Sequence, residues 1–318
     1  MKKWLILFSI ILAIIIPLLW WHQLVPVPSG VYPEKHTGVV VLDMEDDVDV
    51  ITYELPVRWI KTHPWESRPT LKNIQLIDSD NDIISKTKGE MSIHVNDHDN
   101  KWHERNIPAV IEIPINGERL VRETTHVTTS IDSMKEHYFL KQLNMTYKGE
   151  EVSFPMENTY KLVPISNLSA NTTSNTWNIE GAIQVLDDLH TEGFIYHLSG
   201  PVNAVLEDIL FWLPGMNDDY HENEILYSFE GSERYWDQPS EFKGDPIELP
   251  LTLETGELLL YFPFTEEIVE EIKDSLYRSM PFLKMNDGGL KYYTGISGMD
   301  SGLFDRGEKW ENHLIMPK

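Results

Sequence analysis

The chain has 318 residues, with 26 Lys+Arg against 51 Asp+Glu for a formal net charge of −25, and no cysteine. That balance excludes a phosphate-tracking nucleic-acid binder, which needs clustered Lys and Arg to displace counterions, and the missing cysteines exclude a disulfide framework. With 41% hydrophobic and 11% aromatic residues, the chain has material for buried cores in about two domains of roughly 150 residues each.

Residues 1–3 carry Lys2 and Lys3 and precede an uncharged run from Trp4 to Trp21. At 1.5 Å per residue this run spans about 27 Å, close to the hydrocarbon thickness of a bilayer, and Trp20-Trp21 suits the aromatic belt at its edge. The run is expected to be a membrane-spanning signal anchor. No A-x-A site closes it, which favours retention over cleavage. The paired lysines place the N-terminus in the cytoplasm and the remainder outside, as a single-pass protein of a bacterial cell membrane. Residues 22–37, with Pro26, Pro28, Gly30 and Pro33, read as a stiff spacer.

A first β domain is expected over residues 38–166. Val39–Leu42 is a short apolar run, and Val48–Ile60 is rich in β-branched and aromatic residues. Val110–Ile115 and Glu118–Thr129 flank Asn116-Gly117, a pair suited to a type I′ hairpin turn. Leu140–Tyr147 and Glu151–Phe154 read as a second hairpin about Lys148-Gly149-Glu150. The polar stretch 167–175 reads as a linker or long loop.

The remainder, 176–318, is expected to be a second β domain. Trp177–Val185 and Gly193–Leu198 look like paired strands. Ala204–Leu213 reads as a helix capped by Asn203 and stopped at Pro214-Gly215, with a buried strand as the alternative. Ile247–Leu253 and Glu257–Phe264 look like a hairpin about Thr255-Gly256. Thr265 is placed to cap a helix ending near Arg278, with acids early and Ile268, Ile272 and Leu276 on one stripe. The fold expected is therefore mainly β: an N-terminal transmembrane helix followed by antiparallel, sandwich-like layers with a few short helices.

Two clusters have metal-ligand chemistry. Asp78, Asp80 and Asp82 open like a calcium loop, but Ile83 and Gly89 stand where an EF-hand needs its Gly and bidentate Glu. The competing reading is an acidic hairpin tip. His94, His98 and His103, interleaved with Asp97, Asp99 and Glu104, are the densest candidate zinc ligands, although spacing alone does not bring them together. Tyr235-Trp236 and Tyr292-Tyr293 lie in polar surroundings where exposed rings could stack on a sugar or pack on a partner.

Sugar hydrolysis needs two carboxylates about 5 to 9.5 Å apart, and among 51 acids the sequence selects no pair. No catalytic residue is nominated, and no cofactor beyond calcium or zinc. The function expected is a non-enzymatic binding or assembly module of the cell envelope, contacting the membrane through Trp4–Trp21 and, beyond it, an envelope protein or glycan. The alternatives are an anchored hydrolase of wall polysaccharide and an accessory subunit of a membrane complex.

Overall fold

A computed structural model describes residues 26–43, 52–87, 89–95, 104–115, 136–157, 159–165, 176–187, 190–217, 220, 224–229, 242–273, 275–278, 281–294 and 310–318. The expected anchor Trp4–Trp21, the Asn116-Gly117 turn and the 167–175 linker lie outside these residues. Among the described residues no helix is long and apolar enough to cross a membrane.

The architecture is mainly β. Its first ten strands are β1 (Gly30–Pro33), β2 (His36–Asp43), β3 (Thr52–Ile60), β4 (Thr70–Asp78), β5 (Ile83–Lys86), β6 (Glu90–Ser92), β7 (Asn106–Pro114), β8 (Tyr138–Tyr147), β9 (Glu150–Pro155) and β10 (Tyr160–Ile165). The pair β3/β7 shows how alternation becomes a sheet face. Tyr53, Leu55, Val57 and Trp59 of β3 are buried, and their register partners Ile113, Ile111, Ala109 and Ile107 are buried too. Period-two alternation in both strands thus points one apolar row inward, and each fully buried large side chain contributes about 1.5–3 kcal/mol.

β4 keeps its buried side chains on one face by a local break. Lys72 and Asn73 are consecutive exposed residues, the register against β8 shifts between Lys72 and Gln75, and Asn73 takes φ 51°. Asn tolerates this left-handed conformation better than most residues, and the bulge returns Leu71, Ile74 and Leu76 to the core.

Strands β1, β3 and β7 form a three-stranded sheet, while β2, β10, β8, β4 and β5 run in that order through a larger sheet, with β6 on β4 and β9 on β8. Buried side chains from both sheets form a single apolar cluster, which Leu314 and Ile315 complete from the far end of the sequence.

A second cluster gathers residues of the later strands: β11 (Asn178–Asp187), β12 (His190–Ser199), β13 (Val205–Leu210), β14 (Leu226–Ser228), β15 (Asp245–Pro246), β16 (Leu251–Thr252), β17 (Glu257–Pro263), β18 (Leu276–Tyr277), β19 (Phe282–Asp287) and β20 (Leu290–Thr294). One sheet runs β11-β12-β17-β14-β15 and another β16-β13-β19-β20. Trp177 lies at the heart of this cluster, fully buried, its indole N–H donating to Pro201 O at 2.9 Å.

Four local expectations are corrected. Within the expected spacer 22–37, Gly30–Pro33 is strand β1 and His36 begins β2, because pairing with β3 and burial of Val27, Val31 and Tyr32 draw the segment into the first core. The segment around 204–213 is strand β13, antiparallel to β19 and β16, so its strand alternative holds. The segments 247–253 and 257–264 do not pair with each other: β16 joins β13 while β17 joins β12 and β14. The chain turns a corner between sheets at Thr255-Gly256, which lets Leu253 and Leu258 enter the same core. Finally, the helix α1 spans only Glu266–Ile272, capped as expected by Thr265, whose hydroxyl accepts from Ile268 N. Its expected last turn is taken by β18, which pairs in parallel with β2, Leu276 N donating to Lys35 O at 3.0 Å and Arg278 N to Thr37 O at 2.8 Å.

β18 thus carries the second group of strands onto the first. Phe139 and Trp212 meet edge to face with centroids 5.2 Å apart, and the Arg278 guanidinium lies over the Tyr160 ring. Nearby, the buried Glu34 carboxylate lies between His36 Nε2 at 2.9 Å and Arg58 Nε. Burial alone would raise the Glu34 pKa, but the His36 and Arg58 contacts outweigh it and hold it below the ordinary carboxylate range.

Candidate functional site

The clearest candidate surface lies where β3 hands over to β4. Residues 61–69 read Lys-Thr-His-Pro-Trp-Glu-Ser-Arg-Pro, and at their tip Trp65 is 76% exposed, while the other aromatic side chains named so far in the two cores are buried. The ring is not left loose. His63 stacks against it with centroids 5.3 Å apart and planes 29° from parallel, and Glu66 N donates to His63 O at 3.1 Å.

The loop is held by two remote residues and by bonds within it. Lys61 N donates to Arg105 O at 2.9 Å, and Arg105 Nε donates back to Lys61 O at 3.1 Å. Lys148, at the turn between β8 and β9, donates its ammonium to Thr62 Oγ1 at 3.1 Å and to the Glu66 carboxylate. The Glu66 carboxylate also accepts from Thr62 N. Lys148 can reach because Lys148 and Gly149 both take positive φ, 51° and 87°, the conformation of a two-residue type I′ turn that glycine makes cheap.

Beside the loop lies an open cleft of about 430 Å³, lined among others by Glu66, Arg68, Lys72, Glu90, Thr146 and Lys148. Lys72 Nζ is 2.6 Å from Glu90 Oε1. Burial would raise the Glu66 pKa, but hydrogen bonds from Lys148 and Thr62 overcome it and keep the group ionised below its ordinary value. The Lys148 ammonium is opposed by burial and, on balance, stabilised by Glu66 and Tyr147, so its pKa rises. A general acid in a glycosidase needs the opposite, a carboxyl whose pKa is pushed up. Where a carboxyl shift is resolved among the described residues, at Glu34, Glu66 and Glu207, it is downward. The cleft thus presents paired Lys and Glu side chains, and Trp65 precedes its lining residue Glu66 in the chain.

The aspartates foreseen as calcium ligands do come together, with one oxygen of each of Asp78, Asp80 and Asp82 within 4.8 Å of the others. The geometry is that of the acidic hairpin tip. Buried Asp78 accepts from Asp80 N at 3.0 Å and Asp82 N at 2.8 Å through the same oxygen, Oδ1, so one of its lone-pair sets already serves the turn.

His94 is exposed, bridges by backbone to Val110, and approaches Glu112 to 3.6 Å. Its expected companions His98 and His103, with Asp97 and Asp99, lie outside the described residues, as do Tyr235 and Trp236. Tyr292 is a core residue: it is 4% exposed, and its hydroxyl accepts from Trp177 N at 2.9 Å. The expectation of an exposed contact ring is corrected there, because the alternation of β20 turns position 292 inward. Tyr293 is half-buried, its pKa raised by burial and by Asp208 and Glu207. Trp65 went unselected in the sequence, although a Trp in a loop bounded by Pro64 and Pro69 was the available signal.

No family model matches the chain, and no curated protein matches it in sequence.

Proposed function

We propose that the chain is a membrane-anchored, extracytoplasmic, non-enzymatic module of the cell envelope that binds through the face made by the 61–69 loop and the Lys148-Gly149 turn. The observation that carries this reading is the 76% exposure of Trp65 on a loop fixed by hydrogen bonds that Lys148 donates to Thr62 and Glu66 and Arg105 donates to Lys61. The fold holds this ring fixed in water with polar groups on its flanks, and a preorganised aromatic of that kind is a common form of binding anchor. The uncharged run Trp4–Trp21 supports the anchor.

The absence of native cysteine makes a footprint straightforward. Single cysteines at Ser67, beside Trp65, and at Asp80, on the acidic tip, are labelled with a maleimide in intact envelopes and again after detergent solubilisation, with alkaline extraction to check membrane retention. The expected result is protection at Ser67→Cys that detergent removes and that Trp65→Ala abolishes, with Asp80→Cys reacting alike in both states. Equal labelling at Ser67→Cys in envelopes and detergent overturns the binding face; release by alkali overturns the anchor.

A further inference from the structure

The binding face lies at the end of the first core where the chain enters it. β1 is antiparallel to β3, with Gly30 opposite Ile60, so the residues before β1 lie beside the residues after β3. Arg105 ties the two together, donating from Nε to Lys61 O and from Nη2 to Val27 O at 3.4 Å. Val27 is buried in the first core. Only six peptide steps separate Trp21 from Val27, and at 3.3–3.6 Å per residue they reach at most about 22 Å.

The acidic tip is at the opposite end. β4 runs from Thr70 beside the loop to Asp78 at the tip, and nine strand residues carry the chain about 26 Å at 3.3 Å per step. A contact to the second group of strands lies toward that far end: Phe139, which meets Trp212, accepts through its carbonyl from Ser79 N at 2.8 Å.

From this placement we infer that Trp65 is an interfacial foot, inserted among the zwitterionic head groups of the same bilayer that holds Trp4–Trp21, so that the partner of the proposed face is the lipid surface. The inference rests on the anchored reading above. Tryptophan favours the head-group layer because its ring is apolar and its N–H is polar. The surroundings carry both signs, with Arg68, Lys72 and Lys148 near Glu66 and Glu90, and exposed Glu150 and Glu151 beyond the turn. Such a rim matches head groups that carry both signs. A chain of net charge −25 is repelled by an anionic surface, and a single ring binds weakly, but a tether of this length makes the contact intramolecular, where weak affinity suffices.

The test uses the full chain reconstituted in phosphatidylcholine vesicles containing a head-group nitroxide lipid, with an environment-sensitive dye on Ser67→Cys or Asp80→Cys. Flotation with the vesicles after alkaline washing establishes insertion. The expected result is quenching several-fold stronger at Ser67→Cys than at Asp80→Cys, falling to the Asp80→Cys level when Trp65→Ala is added. Equal quenching at the two positions, or quenching at Ser67→Cys that ignores Trp65→Ala, overturns the foot. If the chain floats but shows no such quenching while the envelope footprint at Ser67→Cys persists, the partner is an envelope glycan or protein and only this inference fails. A chain that does not float defeats the anchor and the foot together.

Discussion

The two ends of β4 both present carboxylates, and they use them differently. At the far end Asp78 bonds backbone N–H groups two and four residues ahead, so the cluster closes a turn from within. At the entry end Glu66 takes the ammonium of Lys148, 82 residues away in sequence, and the product is a loop held open with Trp65 at its tip. One carboxylate serves its own segment; the other joins two segments and so creates a surface. The difference teaches that acidic clustering in a sequence says little about a site, whereas the sequence distance to the partner says what the group builds.

Substitutions can break this contrast. The largest effect is expected from Asp78→Ala, which removes a buried acceptor of two N–H groups and should cost about 2–3 kcal/mol, read by urea denaturation. Lys148→Met should follow at about 1–2 kcal/mol, since it strips the partner from a nearly buried Glu66 while Lys148 itself is half in water. It should also free the loop, so amide exchange at residues 62–67 should quicken while exchange at the Asp78–Asp82 turn does not. A variant in which both turns loosen together would show that the two ends are one cooperative unit.

Acid probes the same contrast. Glu34 and Glu66 have folded pKa values below their ordinary value, so the unfolded chain binds their protons first. Their contribution is present above an unfolded pKa of about 4.3 and is lost as pH falls through the folded values. Stability measured by denaturant titration should therefore drop below that point, and Glu66→Gln should be less stable at neutral pH but have a shallower acid slope. An unchanged slope would show that Glu66 is not held ionised by the fold. The smallest effect on stability belongs to Trp65→Ala, expected within about 0.5 kcal/mol because the ring is exposed; a larger loss would show that the ring packs on the fold and is no foot.

What the sequence revealed was local. The Lys148-Gly149 turn, the paired strands on either side of residue 188, and the Thr265 cap are written in neighbouring residues, and all three stand in the structure. The failures share one cause. Leu276 continues a helical stripe, yet the strand β2 from the first core captures it, and that backbone pairing outweighs helix propensity. Residues 204–213 have an apolar pattern that fits a helix or a buried strand, and the pairing with β19 decides. Trp65 has a local signal in its flanking prolines, but the contacts that fix its loop come from Arg105 and Lys148, remote in sequence.

The seating of Leu314 and Ile315 in the first core has a consequence for the order of assembly. Lys35 N donates to His313 O, Ile315 N donates to Pro33 O at 2.9 Å, and Glu34 bridges to Leu314. The first apolar cluster is therefore complete only when residues 314 and 315 are in place. Final closure of that core is thus a long-range event, pairing residues 33–35 with residues 313–315. The same arrangement makes a truncation before Leu314 a lesion of the opposite end of the sequence.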